Sequence, residues 1–223
     1  MAIKGLKIPY VAKYKDNGNG TVTYSDGVKA EKAVSYSVEL EEPENNPLYG
    51  DDEIAEDDNT TFAGGTLTLS TTDLTQPLSA LLLGINIVKV TGAGSEQIDV
   101  GSYDRKRKAV DVGFGVIEVH QINNVNQYRA VLLTRVAFNI PNNTAETKGE
   151  SIEWQTPELS ANLKESGRVD DKFDHPWMMD AWFETEADAD AWLKSELDIT
   201  EPEAAKAAAP AAKAATKSAA KEA

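Results

Sequence analysis

Cysteine is absent from the 223 residues. That excludes a disulfide framework and all thiolate chemistry, nucleophilic or metal-binding. Histidine is nearly absent too, with only His120 and His175. Basic residues are in short supply, 22 Lys and Arg against 37 Asp and Glu, for a net charge of -15. Residues 201–223 hold three acids and four bases, so the first 200 residues carry -15 - 1 = -16. Such a body repels phosphate, and nucleic-acid binding by counterion release needs clustered Lys and Arg. No apolar run approaches the ~18 residues of a membrane span. The opening MAIKGLKIPYVAKYK lacks the apolar core of a signal peptide. A protein made and assembled in a cytoplasm, with no membrane partner, is the expectation.

Missing chemistry narrows the reading further. Gly92-Ala93-Gly94 lacks the third glycine of a dinucleotide fingerprint, and no phosphate-loop Lys follows it. Gly113-Phe114-Gly115 fits strand glycines that let another backbone approach. His120 falls on a predicted strand and His175 precedes Pro176, both in structural or surface settings. Asn59-Thr60-Thr61 matches a glycosylation acceptor without a secretory signal beside it. No constellation for catalysis or cofactor binding emerges, so neither an enzyme nor a cofactor is expected. The basic run Arg105-Lys106-Arg107-Lys108 lies between Asp104 and Asp111. It reads as a solvated loop or an inter-subunit salt-bridge partner.

What is present is mostly β pattern. Ile8–Lys15 and Thr21–Tyr24 read as strands split by the turn signal Asp16-Asn17-Gly18-Asn19-Gly20. Val34, Tyr36, Val38 and Leu40 alternate with polar residues, predicting one apolar and one wet face. Phe62–Leu69 alternates after Gly64-Gly65. Asp73–Leu83 reads as a short helix capped by Asp73 or Thr75 and stopped by Gly84. Val112–Gln121 and Tyr128–Ile140 form a hairpin joined through Asn123-Asn124-Val125-Asn126. Tyr128, Ala130, Leu132, Val136, Phe138 and Ile140 read as one face, interrupted at Thr134. The shift from Val112, Phe114, Val116 to Ile117, Val119 predicts a bulge or burial on both faces. Further strands are predicted at Ser151–Thr156, continuing past Pro157 to Leu163, and at Trp177–Phe183. Thr185 opens an amphipathic helix with Ala189, Trp192, Leu193 and Leu197 as its stripe. From Pro202 the chain turns to Ala/Lys-rich low complexity with nothing large to bury.

One stretch stands apart. Glu39 to Asn59 reads ELEEPENNPLYGDDEIAEDDN, with ten acids, no base, and Leu48, Tyr49 and Ile54 planted among them. Three readings compete: a metal site, a disordered acidic linker, or an exposed loop that docks on another chain. The order of ligands does not match a calcium loop.

The segments VGFGVIEVHQINNVNQYRAVLLTRVAFNIP and ETKGESIEWQTPEL resemble the major tail protein (tail tube protein) family of long-tailed, non-contractile bacteriophages. So do GLKIPYVAKY, VTYSDG, AVSYSVELEEPENN, YGDDEIAED and FAGGTLTLSTTDL. The resemblance spans about residues 5–197. It implies a mainly β, sandwich- or barrel-like subunit with a short flanking helix and a C-terminal helix. Residues 1–200 would form this domain, with an acidic loop over 40–62, and 201–223 would form a tail. It implies hexameric rings stacked into a tube, with four strands per subunit lining the bore. A 24-stranded barrel with strands ~4.8 Å apart and tilted ~40° is about 48 Å across. Inward side chains leave a bore near ~38 Å, enough for a DNA duplex about 20 Å across. Implied partners are further copies of itself, a tape measure protein, a tail terminator and distal tail or baseplate proteins, with DNA passing unbound. The implied location is the virion tail, assembled in the bacterial host cytoplasm. On this view Leu48, Tyr49, Gly50, Asp51, Asp52, Glu53 and Ile54 form an inter-subunit docking loop. Rival readings are a contractile-system tube, a capsid decoration protein, and a carbohydrate-binding or hydrolytic β-sandwich. The last would need an exposed Trp beside Asp or Glu; core packing is the expectation for Trp177, Trp182 and Trp192.

Overall fold

The structure, a computed structural model, describes residues 2–30, 32–42, 62–92, 96–105, 107–142 and 156–200, and the backbone of 48–50 and 53–56. Over these residues it is mainly β with two helices. In chain order the strands are β1 (Ala2–Asp16), β2 (Val22–Lys29), β3 (Ala33–Leu40), β4 (Leu48–Gly50), β5 (Glu53–Glu56) and β6 (Gly65–Thr71). Helix α1 (Gln76–Leu83) follows, then β7 (Asn86–Thr91), β8 (Gln97–Ser102), β9 (Asp111–Ile122) and β10 (Val125–Phe138). The order closes with β11 (Glu158–Lys164), β12 (Met178–Phe183) and α2 (Glu186–Glu196). Residues 151–155 and 201–223 lie outside the described residues, so the strand expected at Ser151–Thr156 is described only from Thr156, which is not strand.

Eight strands form one antiparallel sheet in the order β2-β1-β9-β10-β11-β6-β3, with β12 also paired to β10. The branch at β10 has a local cause. Leu133 pairs with Phe114 and Val136 with Val112, so Thr134 and Arg135 together oppose Gly113. This is a β-bulge, which bends and twists its strand. Before it, β10 pairs with β12 from Tyr128 to Leu133; after it, with β11 from Arg135 to Phe138. One bent strand thus serves two sheet halves that wrap over each other, giving the sandwich-like form.

The bulge corrects one sequence expectation. It exchanges the faces of β10, so Tyr128 to Phe138 is not one stripe. Ala130 and Leu132 belong to the second of two cores, with Tyr10, Ala12, Ile117, Ala189, Leu193 and Leu197. Val131, Leu133, Val136 and Phe138 belong to the first, with Val11, Leu67, Leu69, Phe114, Val116, Leu159 and Leu163. Strand β9 is buried on both faces, one of the two outcomes that its shifting apolar pattern predicts.

The first core is plugged by α1 through Leu78, Leu81, Leu82 and Leu83. Thr75 stands at its N-cap, Pro77 lies in the first turn, and Gly84 ends it in the left-handed region at φ 65°. A Cβ on Gly84 would meet the Lys108 carbonyl at 2.0 Å, so the position requires glycine twice over. The second core is covered by α2. Thr185 Oγ1 accepts from the Asp188 N–H at 3.2 Å, the N-cap read from sequence. Trp192 is only half-buried, beside Phe183.

Gly113 and Gly115 admit side chains rather than the backbone expected. A Cβ on Gly113 would meet Tyr24 Cε1 at 2.5 Å and Leu197 Cδ2 at 2.7 Å, and one on Gly115 would meet Leu193 Cδ2 at 2.9 Å. The glycines let α2 settle on the sheet. The β9–β10 turn is two residues, Asn123 and Asn124, at φ 48° and 65°, not four. Both in the left-handed region is the twist-matched hairpin geometry, and Asn tolerates it.

Candidate functional site

The acidic stretch is not strandless. Glu39 and Leu40 complete β3, and β4 pairs with β5 in a separate hairpin with Tyr49 opposite Ile54 and Gly50 opposite Glu53. Asp51 and Asp52 lie outside the described residues, as do the side chains of Leu48, Tyr49, Glu53 and Ile54, and Gly50 is described as strand backbone. The stretch expected to dock is therefore described as a backbone hairpin outside the main sheet. Among the described residues no group of three or more His, Asp or Glu is placed to hold a metal ion. No helix among them is long and apolar enough to cross a membrane.

A second hairpin, β7–β8, was not foreseen. It too stands outside the eight-stranded sheet. Val88 pairs with Val100 and Val90 with Ile98. Side chains alternate across a strand, so these four share one face of the ribbon. All are exposed, at 47, 39, 45 and 49%. The other face carries Ile87, Lys89 and Asp99, with Lys89 directly opposite Asp99. The ribbon is tethered at its base, where Gln76 Nε2 donates to the Asp99 carbonyl at 3.2 Å and Gly101 lies against Ile85. A lone two-stranded hairpin is marginal in water. A contiguous exposed aliphatic face on one is the mark of a surface that another surface covers. The sequence signal was the alternation in NIVKVT and QIDVGS around Gly92.

The third feature is a groove of about 460 Å³ between β3 and the β1–β9–β10–β12 half of the sheet. Its rim includes Ile3, Val34 and Leu40, all exposed. The apolar face predicted for β3 is thus half open: Tyr36 and Val38 pack on the core, whereas Val34 and Leu40 face water.

The floor holds a buried polar network. Glu118 accepts from the Tyr36 hydroxyl, lies 2.9 Å from His120 Nε2 and accepts from Arg129 Nη1 at 3.4 Å. Arg129 Nε also donates to Asp180 at 2.9 Å. Burial opposes ionisation of Glu118, but the hydrogen bonds from Tyr36 and His120 and the charge of Arg129 outweigh it. Its carboxyl is held below the usual Glu range. Burial and the bond to Glu118 push the Tyr36 phenol well up. His120 Nδ1 is buried with no hydrogen-bond partner, and the ring lies 4.8 Å from that of Trp182. Trp182 is 44% exposed, so core packing does not account for it as expected.

The basic run also has a structural role. Arg107 Nε donates to the Leu83 carbonyl at 2.6 Å, closing the end of α1. Asp111 pairs elsewhere, with Arg135 at 2.7 Å and Lys164 at 2.8 Å. Compared with known proteins, the chain matches no protein-family model and no curated protein.

Proposed function

We propose that this chain is a structural virion protein, a subunit that self-assembles as stacked hexameric rings into a phage tail tube through which DNA is ejected. The observation that carries the proposal is the exposed aliphatic face of the β7–β8 ribbon, outside the eight-stranded sheet. Monomers rarely leave such a face bare. A subunit whose surfaces are completed by its neighbours does so until it assembles. The resemblance of residues 5–197 to tail tube proteins points the same way and supplies the ring and the tube. The implied partners are copies of itself, tape measure, terminator and distal tail proteins, and the location is the virion tail.

The charge suits such a conduit. An acidic wall does not hold passing phosphates, although the effect reaches only ~8 Å at physiological salt. Repulsion among free subunits with net charge -15 also slows association until a nucleus forms. Added salt is expected to promote assembly, read by light scattering. Electron microscopy of the concentrated protein tests the proposal: rings and tubes support it, and a sheath-bound rigid tube would shift it to a contractile system.

Exposed Trp182 favours a second reading, a carbohydrate-binding sandwich. It shares its face of β12 with Asp180, the neighbourhood a sugar needs. Glycan binding that is lost in Trp182→Ala, in a protein that stays monomeric, would select that reading.

A further inference from the structure

Two Asn-Gly pairs stand next to each other in the turn between β1 and β2, Asn17-Gly18 and Asn19-Gly20. Asn17, Gly18 and Asn19 are exposed, and Gly18 and Gly20 sit in the left-handed region at φ 76° and 75°. In an Asn-Gly pair the glycine nitrogen, unhindered by a Cβ, can attack the side-chain amide before it. As sequence the two pairs are equivalent. The folded turn makes them different.

Around Asn17 the reacting groups are held. The Gly18 N–H donates to Asp16 Oδ1 at 2.8 Å, so the nitrogen that would attack Asn17 is turned to another carboxylate. The Asn17 amide itself donates through Nδ2 to Thr21 Oγ1 at 3.2 Å. Asn19 is arranged the opposite way. Its Oδ1 accepts twice from Thr21, from the backbone N–H at 3.3 Å and from the hydroxyl at 2.6 Å. A backbone N–H can only donate, so the amide atom facing Thr21 is the oxygen. The bond to the Thr21 N–H closes a ring through Gly20, which keeps the Gly20 nitrogen beside Asn19 Cγ. Among the described residues no acceptor engages that Gly20 N–H. Two donors on a carbonyl oxygen stabilise the negative charge that builds there when its carbon is attacked.

We infer that Asn19 is a site of spontaneous deamidation, chosen over Asn17 by the fold of this turn and activated by Thr21. The Gly20 nitrogen bonds to Asn19 Cγ, and its proton passes to solvent water. The Cγ–Nδ2 bond breaks, and the nitrogen takes a proton from water and leaves as ammonia. The ring left behind is a succinimide. Water then opens either of its two carbonyl–nitrogen bonds. One opening gives aspartate; the other gives isoaspartate, with the chain rerouted through the former side chain. Both products add a negative charge close to Asp16, and the second lengthens the backbone. The Gly20 carbonyl accepts from the Val169 N–H at 2.9 Å, so the longer chain disturbs the seat of Val169 on this turn. None of this chemistry requires assembly.

The test follows the intact protein in mildly alkaline buffer made with heavy-oxygen water. Trypsin cleavage after Lys15 and Lys29 then places both pairs in one peptide, and fragmentation by mass spectrometry separates them. The expected result is labelled acid at position 19, part of it isoaspartate, with Asn17 intact. In urea, where the turn is lost, both asparagines should convert at similar rates. Asp16→Ala should release the Gly18 nitrogen and let Asn17 convert in the folded protein. Thr21→Val, checked by circular dichroism, should slow conversion at Asn19 several-fold. Conversion of Asn17 as fast as Asn19 in the folded protein would overturn the selection. So would an Asn19 that stays intact while the urea-unfolded chain converts. An unchanged Asn19 rate in folded Thr21→Val would overturn the activation by Thr21.

Discussion

Glu118 Oε2 and His120 Nε2 lie 2.9 Å apart on one face of β9, and the other ring nitrogen of His120 is buried without a partner. Glu118 lines the β3 groove together with Tyr36 and Arg129, both bonded to it. The folded state holds the Glu118 proton more weakly than the unfolded chain does. Glu118 therefore stabilises the fold above the ordinary Glu range, and this contribution disappears as pH falls through the folded-state value. Glu118→Gln should cost about 1–3 kcal/mol at neutral pH. The gap between the two melting temperatures should close on acidification below about pH 4. Thermal melts of both proteins across that range decide it; a gap independent of pH would mean the charge of Glu118 contributes nothing.

Gly113 faces Leu197 so closely that any side chain must displace it. Gly113→Ala should destabilise by about 1–3 kcal/mol through overpacking against Tyr24 and Leu197. Chemical denaturation measures this. A neutral result would show that α2 can shift on the sheet at little cost.

Helix α2 offers an internal comparison. Leu193 is fully buried and Trp192 is not. Leu193→Ala should cost about 2–5 kcal/mol, and Trp192→Ala less, despite the larger side chain, because water already reaches it. The reverse order in urea unfolding would place the helix in a different rotation.

Much of the fold was legible because its signals are local. Thr185 and Gly84 mark helix ends through their own backbone geometry, and Asn123-Asn124 marks a turn. The bulge at Thr134–Arg135 was seen only as a broken stripe. The partner that Thr134 meets there is remote: its hydroxyl donates to the Pro176 carbonyl at 2.5 Å, forty-two residues away in sequence. The role of Gly113 was misread for the same reason, since Leu197 reaches it from the far end of the domain. The acidic stretch drew attention by composition, whereas the β7–β8 ribbon, with ordinary composition, did not. Its significance lies in exposure, which alternation alone does not reveal.

Residues near 200 set a boundary for truncation. Ile199 packs beside Gly27, where an added Cβ would meet its Cγ1 at 2.3 Å. Ending the chain after Thr200 should leave the melting temperature unchanged, because the Ala/Lys-rich sequence beyond offers no apolar stripe. Ending it after Asp198 should lower the melting temperature by several degrees. Equal melting of the two truncated forms would remove Ile199 from the second core.

The central claim is self-assembly, and negative-stain electron microscopy of the purified protein over a concentration series tests it most directly. Rings with six-fold symmetry that stack into tubes as concentration rises are the predicted result, and Val90→Glu with Ile98→Glu should abolish them while the fold persists. Uniform single subunits at every concentration and salt would contradict it.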